Sequence, residues 1–219
     1  CQGATMLNAA PTQFNVRTSS LDLLLRESSP SDSSAIIEAI HESLPELKKF
    51  MVWSHMPQTE AVQQARLEEM TTPAWRRSNR VYHILSPNDE RFLGCIGLHA
   101  GRVINPMGFE IGYWMRTSAA GRGVITAATK AIVVLGFEHL GAQRIQCGYN
   151  EANAASARVN EKVGFVQEAR LRHFEPLPTE AQRADGCAMA EHLVLGALFP
   201  SDRTRLPWYE AACAALTLS

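Results

Sequence analysis

Residues 113–126 read YWMRTSAAGRGVIT, and how this stretch is divided decides the fold. Its first three residues close an apolar, strand-like run, and Gly121 and Gly123 bracket a turn. Val124 then opens a stripe that Ala127, Ala128, Ala131, Leu135 and Leu140 continue at helical spacing as far as Gly141. A strand that runs through a Gly-x-Gly turn into a helix leaves backbone N–H groups at the positive end of the helix dipole, where a phosphate is favoured. The two common nucleotide loops do not fit. No Lys-Ser/Thr pair follows the second glycine, and Gly121-Arg122-Gly123 lacks the third glycine of a dinucleotide fingerprint. Alone, the pattern suits a glycine turn that merely starts a surface helix equally well.

Upstream of this stretch, short apolar segments at residues 80–85, 91–99 and 107–115 are separated by Ser86-Pro87-Asn88-Asp89 and Asn105-Pro106, the turn chemistry of an antiparallel meander. Before them, residues 21–26 (LDLLLR) read as a strand that leads into a cap cluster at Ser28–Asp32. Ile36, Ala39, Ile40, Leu44 and Leu47, and later Ala61, Ala65, Leu67 and Met70, place two or three helices over residues 31–71. Downstream, the pattern predicts a strand at 144–149, a helix at 153–163 closed by Gly164, and strands at 165–171 and 188–198. The order implies a mixed α/β sheet with helices on its faces. With no repeat, charge block or linker, it reads as one domain over residues 21–200, between an irregular N-terminal arm (1–20) and a helical tail (201–219). Cys1–Thr5 precede the first methionine, Met6, and are set aside from the fold as an expression remnant.

Composition bounds the function. The 219 residues carry 21 Lys and Arg against 22 Asp and Glu, a net charge of −1 that argues against a general nucleic-acid binder. The charge is nonetheless divided: residues 116–172 hold eight basic and four acidic side chains, a net of +4, so the remainder carries −5. That suits a polyanion on one side and a cationic amine on the other. The 5 cysteines show no C-x-x-C spacing and fit a reducing cytoplasm. The histidines show no metal-binding spacing, so no metal is expected. No run approaches the ~18 apolar residues of a membrane span, and no basic-then-apolar leader opens the sequence, so membrane attachment is not expected.

A second segment, residues 153–165 (NAASARVNEKVGF), puts Asn153, Ser156, Asn160 and Val163 on one helical stripe; by periodicity alone Asn153 reads as an N-cap. Taken together, the segments resemble the GNAT superfamily of acyl-coenzyme A-dependent N-acetyltransferases, and within it the RimJ/RimL branch that acetylates ribosomal-protein N-termini. The likeness spans about residues 21–198. It is carried by the LDLLLR strand, Trp53 before Pro57, Gly94-x-Ile96-Gly97-Leu98-His99, Glu110-Ile-Gly-Tyr-Trp114, the glycine turn, Asn153-x-x-Ser156, Glu161-Lys-Val-Gly-Phe165 and Glu191-His192.

The resemblance implies a twisted, mostly antiparallel sheet of about seven strands, splayed between the fourth and fifth, with helices on both faces. Acetyl-CoA would enter that splay, held by Met115, Arg116, Gly121, Arg122, Gly123, Val124, Ile125, Thr126, Asn153 and Ser156. Glu110 is the implied general base and Ser156 the implied acid beside the cofactor sulfur. Trp53 and His99 fall where the acceptor would lie, though a core tryptophan and a hydrogen-bonded sheet histidine explain them as well. Two positions depart from the family's usual pattern: Ala120 stands where Gln or Arg is common, and Ile125 where Gly or Ala is.

The expected reaction is direct attack of a primary amine on the thioester in a ternary complex. A protein or peptide α-amine, with a pKa of ~8 against ~10.4 for lysine, is about 3.5 kcal/mol easier to deprotonate at neutral pH. Two other readings stay open: a small-molecule amine acceptor, or an acyl-CoA-binding module without catalysis. A homodimer is compatible with either.

Overall fold

The computed structural model describes Leu7, residues 10–100 and residues 105–218. The first strands, β1 (Gln13–Arg17) and β2 (Asp22–Glu27), form a hairpin that leads into helices α1 (Ser33–Phe50), α2 (Glu60–Thr71) and the short α3 (Pro73–Arg76). The meander follows as β3 (Asn79–Leu85), β4 (Phe92–His99) and β5 (Gly108–Met115). Helix α4 (Val124–Val134) runs on into a π turn at Leu135–His139. The chain ends through β6 (Arg144–Asn150), α5 (Ala154–Val163), β7 (Val166–Arg172), α6 (Glu180–Ala184), β8 (His192–Leu198), α7 (Tyr209–Ala215) and β9 (Leu216–Leu218).

All the described strands share one mixed sheet, in the order β7-β8-β6-β5-β4-β3-β2-β1-β9, and among them only the β5–β6 pair is parallel. The sheet therefore has nine strands where about seven are expected. The two extra strands come from the segments read as arm and tail. In β1 only Phe14 and Val16 face inward, so a polar, irregular-looking stretch hides a strand; Phe14 meets Tyr82 edge-on with ring centroids 5.1 Å apart. At the other end β9 pairs with β1, and the tail is tied to the domain where Trp208 Nε1 donates to the Val163 carbonyl at 3.0 Å. The rest of the expected arm, residues 1–6 and 8–9, lies outside the described residues.

Each sheet face buries its own core. Ile96, Leu98, Phe109 and Ile111 pack against α4 on one side, while Ile36, Ile40 and Leu47 of α1 meet Leu85 and Phe92 on the other. Helix α4 starts at Val124, where its stripe opens, because Gly123 is left-handed. One expected boundary shifts. The strand expected from residue 188 starts at His192, because the Ala188 N–H is drawn off to the Lys49 carbonyl, 2.9 Å away. No described helix is long and apolar enough to cross a membrane.

Candidate active site

The parallel pairing of β5 with β6 covers three residue pairs and stops at Glu110–Gln146. Beyond it β5 stays paired with β4 as far as Met115, and β6 with β8 as far as Asn150, so the two neighbours part into a V. A cavity of about 630 Å³ occupies one side of this opening, lined among others by Glu110, Gln146 and Cys147. A second, of about 420 Å³, is lined by Met115, Gly121, Gly123, Val124, Ile125 and Thr126. Tyr113, Asn153 and Ser156 line both.

Gly121 and Gly123 have φ of +77° and +83°, a region in which an L side chain is strained. Gly123 is the N-cap of α4 and supplies no side-chain cap, so the first-turn amides of the helix face the second cavity uncapped. Uncapped amides, a helix dipole and a groove that continues into the V form an anion cradle open to a long ligand. Ala120 and Ile125 both line this cavity, so the departures from the usual pattern lie in it and leave its backbone intact.

Helix α5 brings in the second group. Asn153 caps it, its Oδ1 accepting from Ser156 N–H at 3.1 Å; the N-cap reading of Asn153 thus describes its side-chain oxygen, and its amide NH₂ is not used by that cap. Asn160 donates to the Ser156 carbonyl at 3.1 Å and to Cys147 Sγ at 3.4 Å, which holds the turn that carries Ser156 against β6. Tyr113 Oη, buried and without a well-formed hydrogen bond among the described residues, lies beside Ser156 and Cys147, and Tyr113 lines both cavities, so a polar ligand there can meet the phenol. Burial pushes the Tyr113 phenol up and the Cys147 thiol up to about 11, so both stay protonated at neutral pH and neither serves as an anionic nucleophile.

Glu110 stands at the apex of the V, half-buried, and accepts from Gln146 Nε2 at 2.9 Å. Gln146 in turn accepts from Arg144 Nε at 3.1 Å, so β6 fixes the direction of the carboxylate. Across the sheet, Glu110 is directly opposite His99 of β4, whose Nδ1 is 2.7 Å from Asn79 Oδ1. His99 and Trp53 line a third cavity between the sheet and α1–α2, which borders the first at Gly112 and Tyr113.

Two of the expected cofactor residues, Arg116 and Arg122, do not line the second cavity. Arg116 is buried and turned into α1: Nε donates to Glu42 at 2.9 Å, one terminal nitrogen to Glu38 at 2.5 Å, and the other to the Phe92 carbonyl at 3.2 Å. Two carboxylates from α1 satisfy the guanidinium, so it clamps the helix and does not face the cradle. Arg122 is exposed and lines an adjoining groove with Lys130, Lys162 and Trp208. Gln146, Tyr113 and Cys147 were not singled out from the sequence. The period-2 alternation of β6 carries the signal: it assigns Gln146 to the face of Glu110, and Cys147 to the face covered by α5.

The chain is similar to known proteins in sequence and in fold. YdaF of Bacillus subtilis (strain 168), which carries the name of a ribosomal N-acetyltransferase, is 28% identical over 153 residues, 68% of this chain and 81% of that protein. The crystallised Mycobacterium smegmatis RimJ in complex with CoA-disulfide superposes with a TM-score of 0.76 at 18% identity, covering 95% of this chain and 98% of that one. RimL, the ribosomal L7/L12 alpha-N-protein acetyltransferase in complex with coenzyme A, gives 0.70 at 18% identity over 84% and 97%. The family model described as "Acetyltransferase (GNAT) domain" matches residues 22–166, which takes in the V, the glycine turn and all of α5. That match covers about two thirds of the sequence, and the chain belongs to the GNAT family of acetyltransferases.

Proposed function

We propose that this enzyme transfers an acetyl group from acetyl-CoA to a primary amine, and that the amine is the α-amino group of a peptide or protein. The observation that carries the reading is the end of β5–β6 pairing at Glu110. One opening thereby receives the uncapped amides of α4 at one side and the Glu110 carboxylate and Ser156 hydroxyl at the other. Bound there, acetyl-CoA supplies an activated thioester. Met115, Gly121, Gly123, Val124, Ile125 and Thr126 would hold its phosphate end, with Asn153 and Ser156 beside its reactive end. Glu110, oriented by Gln146, would take one proton from the incoming ammonium, directly or through water, and Ser156 would give its hydroxyl proton to the sulfur as the C–S bond breaks and regain one from the nitrogen that has joined the acetyl carbon. An α-amine asks little of such a base, which supports it over a lysine side chain. YdaF and the RimL structure point to the same acceptor class. A cytoplasmic setting belongs to this reading: Cys95, Cys147, Cys187 and Cys213 are free thiols.

Release of CoA thiol with alanine- and serine-starting ribosomal-protein peptides tests the assignment. Glu110→Gln is expected to lower kcat by about 100-fold or more, and Ser156→Ala by about tenfold or more, with near-native CoA affinity in both. Wild-type kcat in both variants would overturn the two roles.

A further inference from the structure

The sequence has four tryptophans, and three of them, Trp53, Trp75 and Trp114, line the third cavity, of about 420 Å³, together with Phe92. Trp114 sits 5.8 Å from Trp53 and 5.5 Å from Phe92 between ring centroids, at tilts of 59° and 46°, so the rings form one continuous wall. The floor is the sheet itself, at Gly112 and the His99 ring. A Cβ on Gly97 would sit 2.8 Å from both His99 Nε2 and Val81 Cγ2, so its neighbours already fill that position, whereas one on Gly112 would meet nothing but the His99 ring, at 3.5 and 3.7 Å. The imidazole therefore lies beside Gly112 as another flat surface, and the volume next to the aromatic wall is open there because Gly112 carries no side chain.

Position along β5 ties this volume to the chemistry. Glu110, Gly112 and Trp114 share one face of the strand, opposite His99, Gly97 and Cys95, and successive residues on a face are about 6.6 Å apart. An amine held at Glu110 thus has the bare backbone of Gly112 one step away and the Trp114 ring two steps away. That step matches the reach from an amine nitrogen to a ring joined through one or two carbons. We propose that the cavity receives an aromatic ring of the acceptor, so that the preferred substrate is a primary amine bearing a ring a short spacer from the nitrogen, whether a chain beginning with an aromatic residue or a free arylalkyl amine. Rings gain from edge and offset contacts with the wall beyond the area they bury, whereas a methyl-sized group leaves most of the cavity empty. The inference rests on the reading that Glu110 marks where the amine meets the thioester.

The test compares alaninamide, phenylalaninamide, and tripeptides starting with Ala or Phe. Two readouts are used: kcat/KM by CoA release, and tryptophan emission during titration with each amine alone. The wild-type enzyme is expected to prefer phenylalanine over alanine by about tenfold or more, and phenylalaninamide to change the emission saturably. Gly112→Val, whose side chain enters the cavity, and Trp53→Leu, which removes part of the wall from a residue outside the sheet, are each expected to drive the Phe:Ala ratio toward one. Equal or better turnover of the alanine acceptors by wild type overturns the inference and leaves the acetyl-transfer reading intact. If no amine is acetylated, that reading fails on its own terms and the titration decides the cavity: a saturable change lost in Gly112→Val supports a ring site, and a flat titration overturns it. Turnover of the Phe tripeptide but not the amide identifies a chain terminus as the source of the ring, and the reverse identifies a small amine.

Discussion

Gly123 shows how one backbone angle serves the site. A Cβ placed there meets nothing within 4 Å, so space does not require glycine; the φ of +83° does. Holding an L side chain in that region costs about 1–2 kcal/mol. The chain can also escape the strain by rotating the turn, which swings the uncapped amides of α4 away from the cavity. Gly123→Ala is therefore expected to lower stability by about 1 kcal/mol in urea and to weaken coenzyme A binding in calorimetry, while Gly123→Asn, which tolerates the left-handed region better, loses less of both. Equal affinity in the alanine variant would separate the glycine from the cradle. Ser156 makes the complementary point: its backbone N–H serves the helix cap while the residue lines both cavities, so its amide belongs to the fold and its hydroxyl is left for the proposed chemistry.

At the scale of elements, Asp32 joins three of them. Its carboxylate receives Arg26 of β2 at 2.7 Å, the Ser29 N–H of the turn at 3.0 Å and His83 of β3 at 2.7 Å, just where α1 begins. Burial alone would raise its pKa, but His83 and Arg26 pull it down to about 2 from 3.8. A depressed carboxylate stabilises the fold above its unfolded value, and that stability is lost as pH falls from 3.8 through about 2. The contribution is about 2 kcal/mol, so Asp32→Asn should unfold more easily at pH 6 and show a flatter acid limb between pH 4 and 2. An unchanged limb would mean that other carboxylates govern acid unfolding. The elements differ in how openly the sequence displays them. Strands β3–β6 stand out because alternation and turn residues agree, and the glycine turn and α5 stand out by their spacing, whereas Glu110 and Ser156 are picked out only through the family resemblance. Strand β1 is hidden because two inward residues, Phe14 and Val16, sit among polar ones, and β9 because three residues carry no period. The role of Arg116 is hidden for another reason: the carboxylates that bury it come from positions 74 and 78 residues away, so local spacing points it at the cofactor while tertiary contact turns it into α1.

Across the whole molecule, the division of charge into +4 over residues 116–172 and −5 elsewhere acquires a location. Arg158 and Lys162 line the cradle cavity, and Arg122, Lys130 and Lys162 line the groove beside it, which β1, its turn to β2, and α7 complete. Most of the other basic side chains in this region are paired: Arg116 with Glu38 and Glu42, Arg144 with Glu168, Arg170 with Glu151. The cations around the cradle form no such bridge among the described residues, and burial together with the charge of Lys162 lowers the pKa of Lys130. Lys130, which lies 5.1 Å over the Trp208 ring, and Lys162 repel each other in the empty fold, and a polyanion reverses the sign of that interaction. The electrostatic share of binding should then reside in the nucleotide end of the ligand and be screened by salt, because these groups lie within a Debye length of about 10 Å at 0.1 M. Coenzyme A affinity is expected to fall by about tenfold, or 1.4 kcal/mol, between low and high salt. Lys130→Met with Lys162→Met should remove most of that dependence and leave turnover of acetyl-pantetheine, which lacks the phosphates, near the wild-type rate. Calorimetry at two ionic strengths reads the first effect and thiol release the second. A salt-independent affinity, or an equal loss with acetyl-pantetheine, would mean that these cations do not meet the phosphates, which would leave the backbone amides of α4 to hold them unaided.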